Sequence, residues 1–147
     1  MTIHSRLVRE PIDANALLRL VSRPANGAVL LFLGVVRDLN DGRAVTGIEY
    51  SAYEPMAERE LASIAAEAAE RFGSADLAIE HRLGALGLEE VSVGIAVAHP
   101  HRGEAYAASR WIIEELKRRV PIWKREHYAD GSRGWVDPTR TATTVAT

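Results

Sequence analysis

The segment Leu116-Lys117-Arg118-Arg119-Val120-Pro121-Ile122-Trp123-Lys124-Arg125-Glu126-His127 constrains the fold more than any other stretch of the chain. Ala105, Ala108, Trp111, Ile112 and Leu116 recur at helical spacing, which predicts a long helix from Glu104 to Val120. Pro121 cannot continue that helix, and the chain leaves it extended through Ile122 and Trp123. Lys117 and Lys124 are therefore carried on two elements joined by a forced break, and the second can fold back towards the first. Five basic side chains between 117 and 125 repel one another unless something negative sits among them. Trp123, in the middle, predicts a segment packed against the body of the protein. Taken alone, the stretch also reads as a solvated basic helix end, where lysine and arginine favour the C-terminal dipole.

The rest of the chain bounds what such a segment can serve. At 147 residues, 47% of them apolar and 26% charged, one domain with a real core is expected. We place it at residues 1–138, with a threonine- and alanine-rich disordered tail at 139–147. The net charge of −2 supplies no global attraction to nucleic acid or to an anionic membrane, so any anion site is local. There is no cysteine, hence no thiolate metal site and no sulfur nucleophile of the chain's own. The apolar run from Ala28 to Val36 is too short to span a bilayer, and the first residues carry no signal-like apolar core. A cytoplasmic protein is expected.

Periodicity lays out an alternation of strands and helices. Ile3 to Val8 reads as a strand and Ile12 to Val21 as a helix capped by Asp13. Ala28 to Val36 reads as a buried central strand, apolar on both faces. A polar turn at Asp41-Gly42 leads to a strand from Val45 to Tyr53. Glu54-Pro55 opens a helix to about Phe72, with Met56, Leu61, Ile64, Ala65, Ala68 and Phe72 inward, Glu67 pairing with Arg71, and Gly73 as its end. Leu77 to Leu83 and Val91 to Ala98 are further strands, with a loop from Gly84 to Glu90 between them. The fold class is α+β, one domain, with a mixed or antiparallel sheet and packed helices.

Three groups of residues carry chemistry. His99-Pro100-His101-Arg102-Gly103 lies between a buried strand and a helix N-terminus, where free amides and the dipole favour an anion. The same residues also read as a structural loop in which arginine pairs with Glu104. A metal at His99 and His101 would need further ligands, such as His81 or His127, and no metal is expected. Arg37 leaves the end of a strand where a loop begins, the place of many binding residues but also of many surface arginines. Glu126 beside Lys124 is placed to orient the lysine or accept from a substrate amide, or to serve as a plain ion-pair partner.

With these residues in view, the sequence resembles the catalytic subunit family of molybdopterin synthase. The resemblance is carried by Phe32-Leu33-Gly34-Val35-Val36-Arg37, Tyr53-Glu54-Pro55-Met56 and His81-Arg82-Leu83-Gly84. It continues through Ala98-His99-Pro100-His101-Arg102 and from Leu116-Lys117 through Pro121-Ile122-Trp123-Lys124-Arg125-Glu126 to Gly134-Trp135-Val136. It implies a hammerhead-like α+β fold and a sulfurtransferase that opens cyclic pyranopterin monophosphate to form a dithiolene. Sulfur would come from the C-terminal Gly-Gly thiocarboxylate of a small ubiquitin-like partner, and the assembly would be a homodimer of this subunit within a heterotetramer. It makes Lys117 and Lys124 the catalytic residues. Arg37, His101, Arg102, Lys117, Lys124, Arg125 and Glu126 become the substrate-binding set, with no cofactor, nucleic acid or membrane involved. Val35 departs from the lysine many members carry there. The competing reading is a non-catalytic module that binds anions or a partner's acidic tail.

Overall fold

A computed structural model of the chain describes residues 1–73 and 75–136. The order is β1 (Ile3–Val8), α1 (Ala14–Val21), β2 (Ala28–Val35), β3 (Leu39–Asn40), β4 (Arg43–Ala52), α2 (Glu54–Phe72), β5 (Asp76–Arg82), β6 (Gly84–Gly87), β7 (Val91–His99), α3 (Arg102–Arg119), β8 (Ile122–Tyr128) and β9 (Arg133–Val136). The α+β class holds. One sheet runs β1-β5-β7-β2, parallel only between β1 and β5. In the second, β4 pairs with β8 along one edge and with β3 and β6 along the other, and β9 extends it beyond β8. The expected boundary at 138 and the tail at 139–147 lie outside the described residues.

The first sheet is covered on both faces. Leu61, Ile64 and Ala68 of α2 and Ala108, Ile112 and Leu116 of α3 pack with Leu77, Ile79, Ile95 and Val97 in the main core. Leu17 and Val21 of α1 close the opposite face over Ala78, Ala96 and Ala98. Asp13 caps α1, its carboxylate accepting from the Ala16 amide at 3.1 Å. Among these small residues, α2 and α3 approach the sheet closely, which places the C-terminal end of α3 against the start of β8.

Several expectations change. The run from Ala28 is an edge strand, not a central one: among the described residues β2 pairs only with β7, and it is half-exposed along most of its length. Uniform apolarity reports what covers a strand's faces and says nothing about its hydrogen-bonding edges. Gly84–Gly87 is strand, not loop, because its backbone pairs with Gly47 to Tyr50 of β4. In β4 a register shift between Val45 and Gly47 breaks the simple alternation and buries both Val45 and Ile48. Met56 is exposed and Ala57 takes its inward place. Glu67 pairs with Arg119 of α3 at 2.7 Å, while Arg71 lies over the Trp111 ring. Trp123 is 42% exposed, so the extended segment is anchored by Ile122, Lys124 and Glu126 and not by its tryptophan.

Candidate active site

The break at Pro121 does what the sequence predicts. The Val120 amide closes α3 on the Leu116 carbonyl at 3.1 Å, and β8 then runs antiparallel to β4. Along β8, Ile122, Lys124 and Glu126 point inward, whereas Trp123 and Arg125 point to the other face. Lys117 and Lys124 thus meet in one cleft, enclosing about 380 Å³ open to solvent, with Tyr50, His81, Val93, Leu116, Val120 and Ile122 as its walls. A second hollow shares Tyr50 and Lys124 with the first and is lined by Val35, Arg37, Asn40, Ile48 and Glu126. The two hollows adjoin at Tyr50 and Lys124, which line both.

The electrostatics follow from burial. Burial first, and the neighbouring Lys124 cation second, push the Lys117 ammonium down to about 8. The arginines expected to crowd it do not: Arg118 and Arg119 are engaged by Glu115, Glu60 and Glu67. Arg125 is held by Glu49 at 2.6 Å and lies over the Trp135 ring. Lys124 is lowered too, chiefly by burial, with Glu126 opposing the shift and Arg37 adding to it. Glu126 is 2% exposed and accepts from Asn40 Nδ2 at 3.0 and 2.9 Å and from the Tyr128 hydroxyl at 3.0 Å. A buried carboxylate held by two donor groups through three contacts is a rigid negative wall beside Lys124.

Of the residues singled out from sequence, Arg37, Lys117, Lys124 and Glu126 come together. Arg125 lies on the opposite face of β8. His101 and Arg102 lie at the start of α3, both exposed, and Lys117 is fifteen residues further along the helix, about 22 Å away at 1.5 Å per residue. Their loop is built with care. The His99 ring, 5% exposed, donates from Nε2 to the Phe72 carbonyl at 3.0 Å and accepts the His101 amide on Nδ1 at 2.9 Å. With both ring nitrogens used, His99 has nothing left for a metal. Among the described residues no group of three or more His, Asp or Glu gathers as a metal site.

Tyr50, His81 and Asn40 are site residues that the sequence did not single out. His81 left a trace, as a further metal-ligand candidate and as the first residue of His81-Arg82-Leu83-Gly84, with nothing local to tie it to the lysines. Tyr50 and Asn40 left none, since only the registers of β4 and β8 bring them to the lysines. His81 is held neutral: burial pushes it down to about 4, and Lys117 adds to that against the pull of the Arg82 carbonyl. Burial raises the Tyr50 phenol.

Comparison with known proteins places the chain in a family. Residues 7–119 match the family model described as MoaE protein. The molybdopterin synthase catalytic subunit of Halalkalibacterium halodurans is 44% identical over 130 residues, covering 88% of this chain and 83% of that one. A crystal structure of molybdopterin synthase from Staphylococcus aureus superposes with a TM-score of 0.84 at 39% identity, covering 88% of this chain and 94% of that one. A protein-protein complex of subunits 1 and 2 of molybdopterin-converting factor from Helicobacter pylori shares the fold at a TM-score of 0.71 and 19% identity, covering 97% and 99%. With the match spanning residues 7–119 and relatives above 40% identity covered over most of their length, the chain belongs to the MoaE family.

Proposed function

We propose that this chain is the catalytic subunit of a molybdopterin synthase, a sulfurtransferase of molybdenum cofactor biosynthesis. It takes sulfur from the C-terminal thiocarboxylate of a small ubiquitin-like partner and delivers it to cyclic pyranopterin monophosphate. A cytoplasmic setting, with no cofactor beyond the substrate, belongs to the same reading. The observation that carries it is the pair of lysines in one cleft, Lys124 buried and Lys117 half-buried, the latter able to shed its proton near neutrality. Two anions, a phosphate-bearing pterin and a thiocarboxylate, repel each other on approach. Lys117, Lys124 and Arg37 offset that repulsion in a partly dry cleft, where their charges act more strongly than in water. Lys117, on the rigid end of α3, meets the thiocarboxylate carbonyl, and its neutral form serves as base or transient acyl acceptor. Lys124, between Glu126 and Arg37, attends the pterin and the opening of its cyclic phosphate. Arg125 acts from outside the cleft, holding β8 to β4 through Glu49.

A tail-binding module without chemistry would need the lysines only as charges, and substitution separates the two readings. In Lys117→Arg the charge stays but the group no longer deprotonates near neutral pH. We expect Lys117→Arg to bind pterin and lose sulfur transfer, and Lys124→Arg to keep a measurable fraction. Single-turnover reactions with a thiocarboxylated partner, read by mass spectrometry of the dithiolene product, decide it. Full transfer by Lys117→Arg reduces that lysine to a charge. No transfer by the unaltered chain supports the binding module.

A further inference from the structure

The sulfur-transfer reading leaves the imidazole of the Lys117 cleft without a task. His81 is 6% exposed on β5, and Val93, Leu116, Val120 and Ile122 supply apolar walls to the cleft it lines. Its Nδ1 lies 2.9 Å from the Arg82 carbonyl oxygen, which can only accept, so Nδ1 carries the ring proton and Nε2 presents a lone pair. Nε2 has no hydrogen-bond partner among the described residues, yet it is not sealed in as Asn26 Oδ1 and Arg82 Nε are. The ring lines the cleft beside Lys117, held edge-on against Tyr50 with centroids 5.2 Å apart. An unpaired ring nitrogen in a core strand is a standing penalty unless something donates to it.

We propose that His81 is a positioning residue for Lys117: its Nε2, left without a partner among the described residues, takes a hydrogen bond from Lys117 Nζ by rotation of that flexible side chain and so aims the amine into the cleft. The other groups facing Lys117 cannot do this. From β8, Lys124 brings a second cation and Ile122 is apolar; from β7, Val93 is apolar; from β4, the Tyr50 hydroxyl is engaged by Ser92. The carboxylate of Glu126 lies in the second hollow, walled off by its bonds to Asn40 and Tyr128. His81 is the fixed, uncharged acceptor on the Lys117 side. Its neutrality matters, because an imidazolium would donate rather than accept and would repel the ammonium. The inference rests on the reading that Lys117 meets the acyl group.

The test separates the two. His81→Asn keeps a donor for the Arg82 carbonyl and removes the acceptor at the Nε2 position, whereas His81→Gln restores an acceptor with comparable reach. The first readout uses no sulfur transfer: acetic anhydride labelling of Lys117 across pH in the folded chain, quantified by mass spectrometry. Losing an acceptor favours the uncharged amine, so in His81→Asn the labelling midpoint moves to lower pH by about half a unit or more. Single-turnover transfer in the same variant falls about tenfold with partner docking unchanged, and His81→Gln recovers most of both. Merely loosening the cleft would admit water and move the midpoint to higher pH. An unshifted or alkaline midpoint in His81→Asn, or a His81→Gln no better than His81→Asn, overturns the positioning role. Full transfer by Lys117→Ala overturns the parent reading, whatever the labelling shows.

Discussion

At the scale of single residues, the site is built against stability. Lys117 is charged at pH 7 in a place that resists charge. The folded value of about 8 lies below the ordinary 10.5, so between those two pH values the unfolded chain binds more protons and stability rises with pH. Below pH 8 the penalty is present in full. Replacing Lys117 by methionine removes it, and the variant is expected to be more stable by about 2–3 kcal/mol at pH 7, while inactive. The gap should shrink as pH rises towards 10.5, which urea unfolding at pH 7 and pH 10 measures. Lys117, Lys124 and Glu126 were legible from sequence because a proline break and the strand alternation after it suffice to point them one way. The cause of Lys117's altered basicity was not. Counting nearby arginines pointed to repulsion, whereas the structure gives each of Arg118, Arg119 and Arg125 a carboxylate and leaves burial as the main cause.

At the scale of elements, the strongly periodic helices and β1 were readable almost to their ends, since capping and amphipathic spacing are local properties. Misread features depended on pairing: the edge position of β2, the strand Gly84–Gly87, and the shift in β4. None of these has a local signature, because a backbone edge is satisfied or left open by residues far away in sequence. How closely α1 lies on the first sheet is equally non-local and depends on Gly94. A Cβ built there would stand 2.7 Å from Leu17 Cδ1 and 3.2 Å from Ile12 Cγ2. Gly94→Ala is therefore expected to lift α1 and destabilise the fold by about 1–3 kcal/mol. Combined with Leu17→Ala, which vacates the same space, the loss should be smaller than the sum of the two single changes. Denaturant titration of the three variants reads the difference.

At the scale of the whole molecule, the two ends of α3 pose a question that one copy does not answer. His101 and Arg102 stand about 22 Å from Lys117 along the helix, too far to hold one small substrate jointly. The outer edge of β2 offers a way round. From Gly27 to Val36 it carries no charge, and that edge has no strand partner among the described residues, a pattern that invites pairing with another chain. Antiparallel pairing of β2 with β2 of a second copy would set each copy's Arg37 near the other's His101 and Arg102, since Ala28 lies opposite His99. A site shared in this way makes Arg102→Ala and Lys117→Ala complementary. Each alone should be inactive, while mixed dimers recover about a quarter to a half of the activity per dimer, because one of the two sites is then intact. Co-purification with two different tags, followed by a turnover assay, tests this, and no recovery on mixing rules the shared site out. The layout also has a consequence along the chain. Both helices of the main core and the four strands of the first sheet are complete by Arg119, whereas Lys124 arrives only with β8, which must return to a strand some eighty residues upstream. A chain cut short before β8 would carry both helices of the main core and the first sheet yet lack Lys124, and so would be chemically mute.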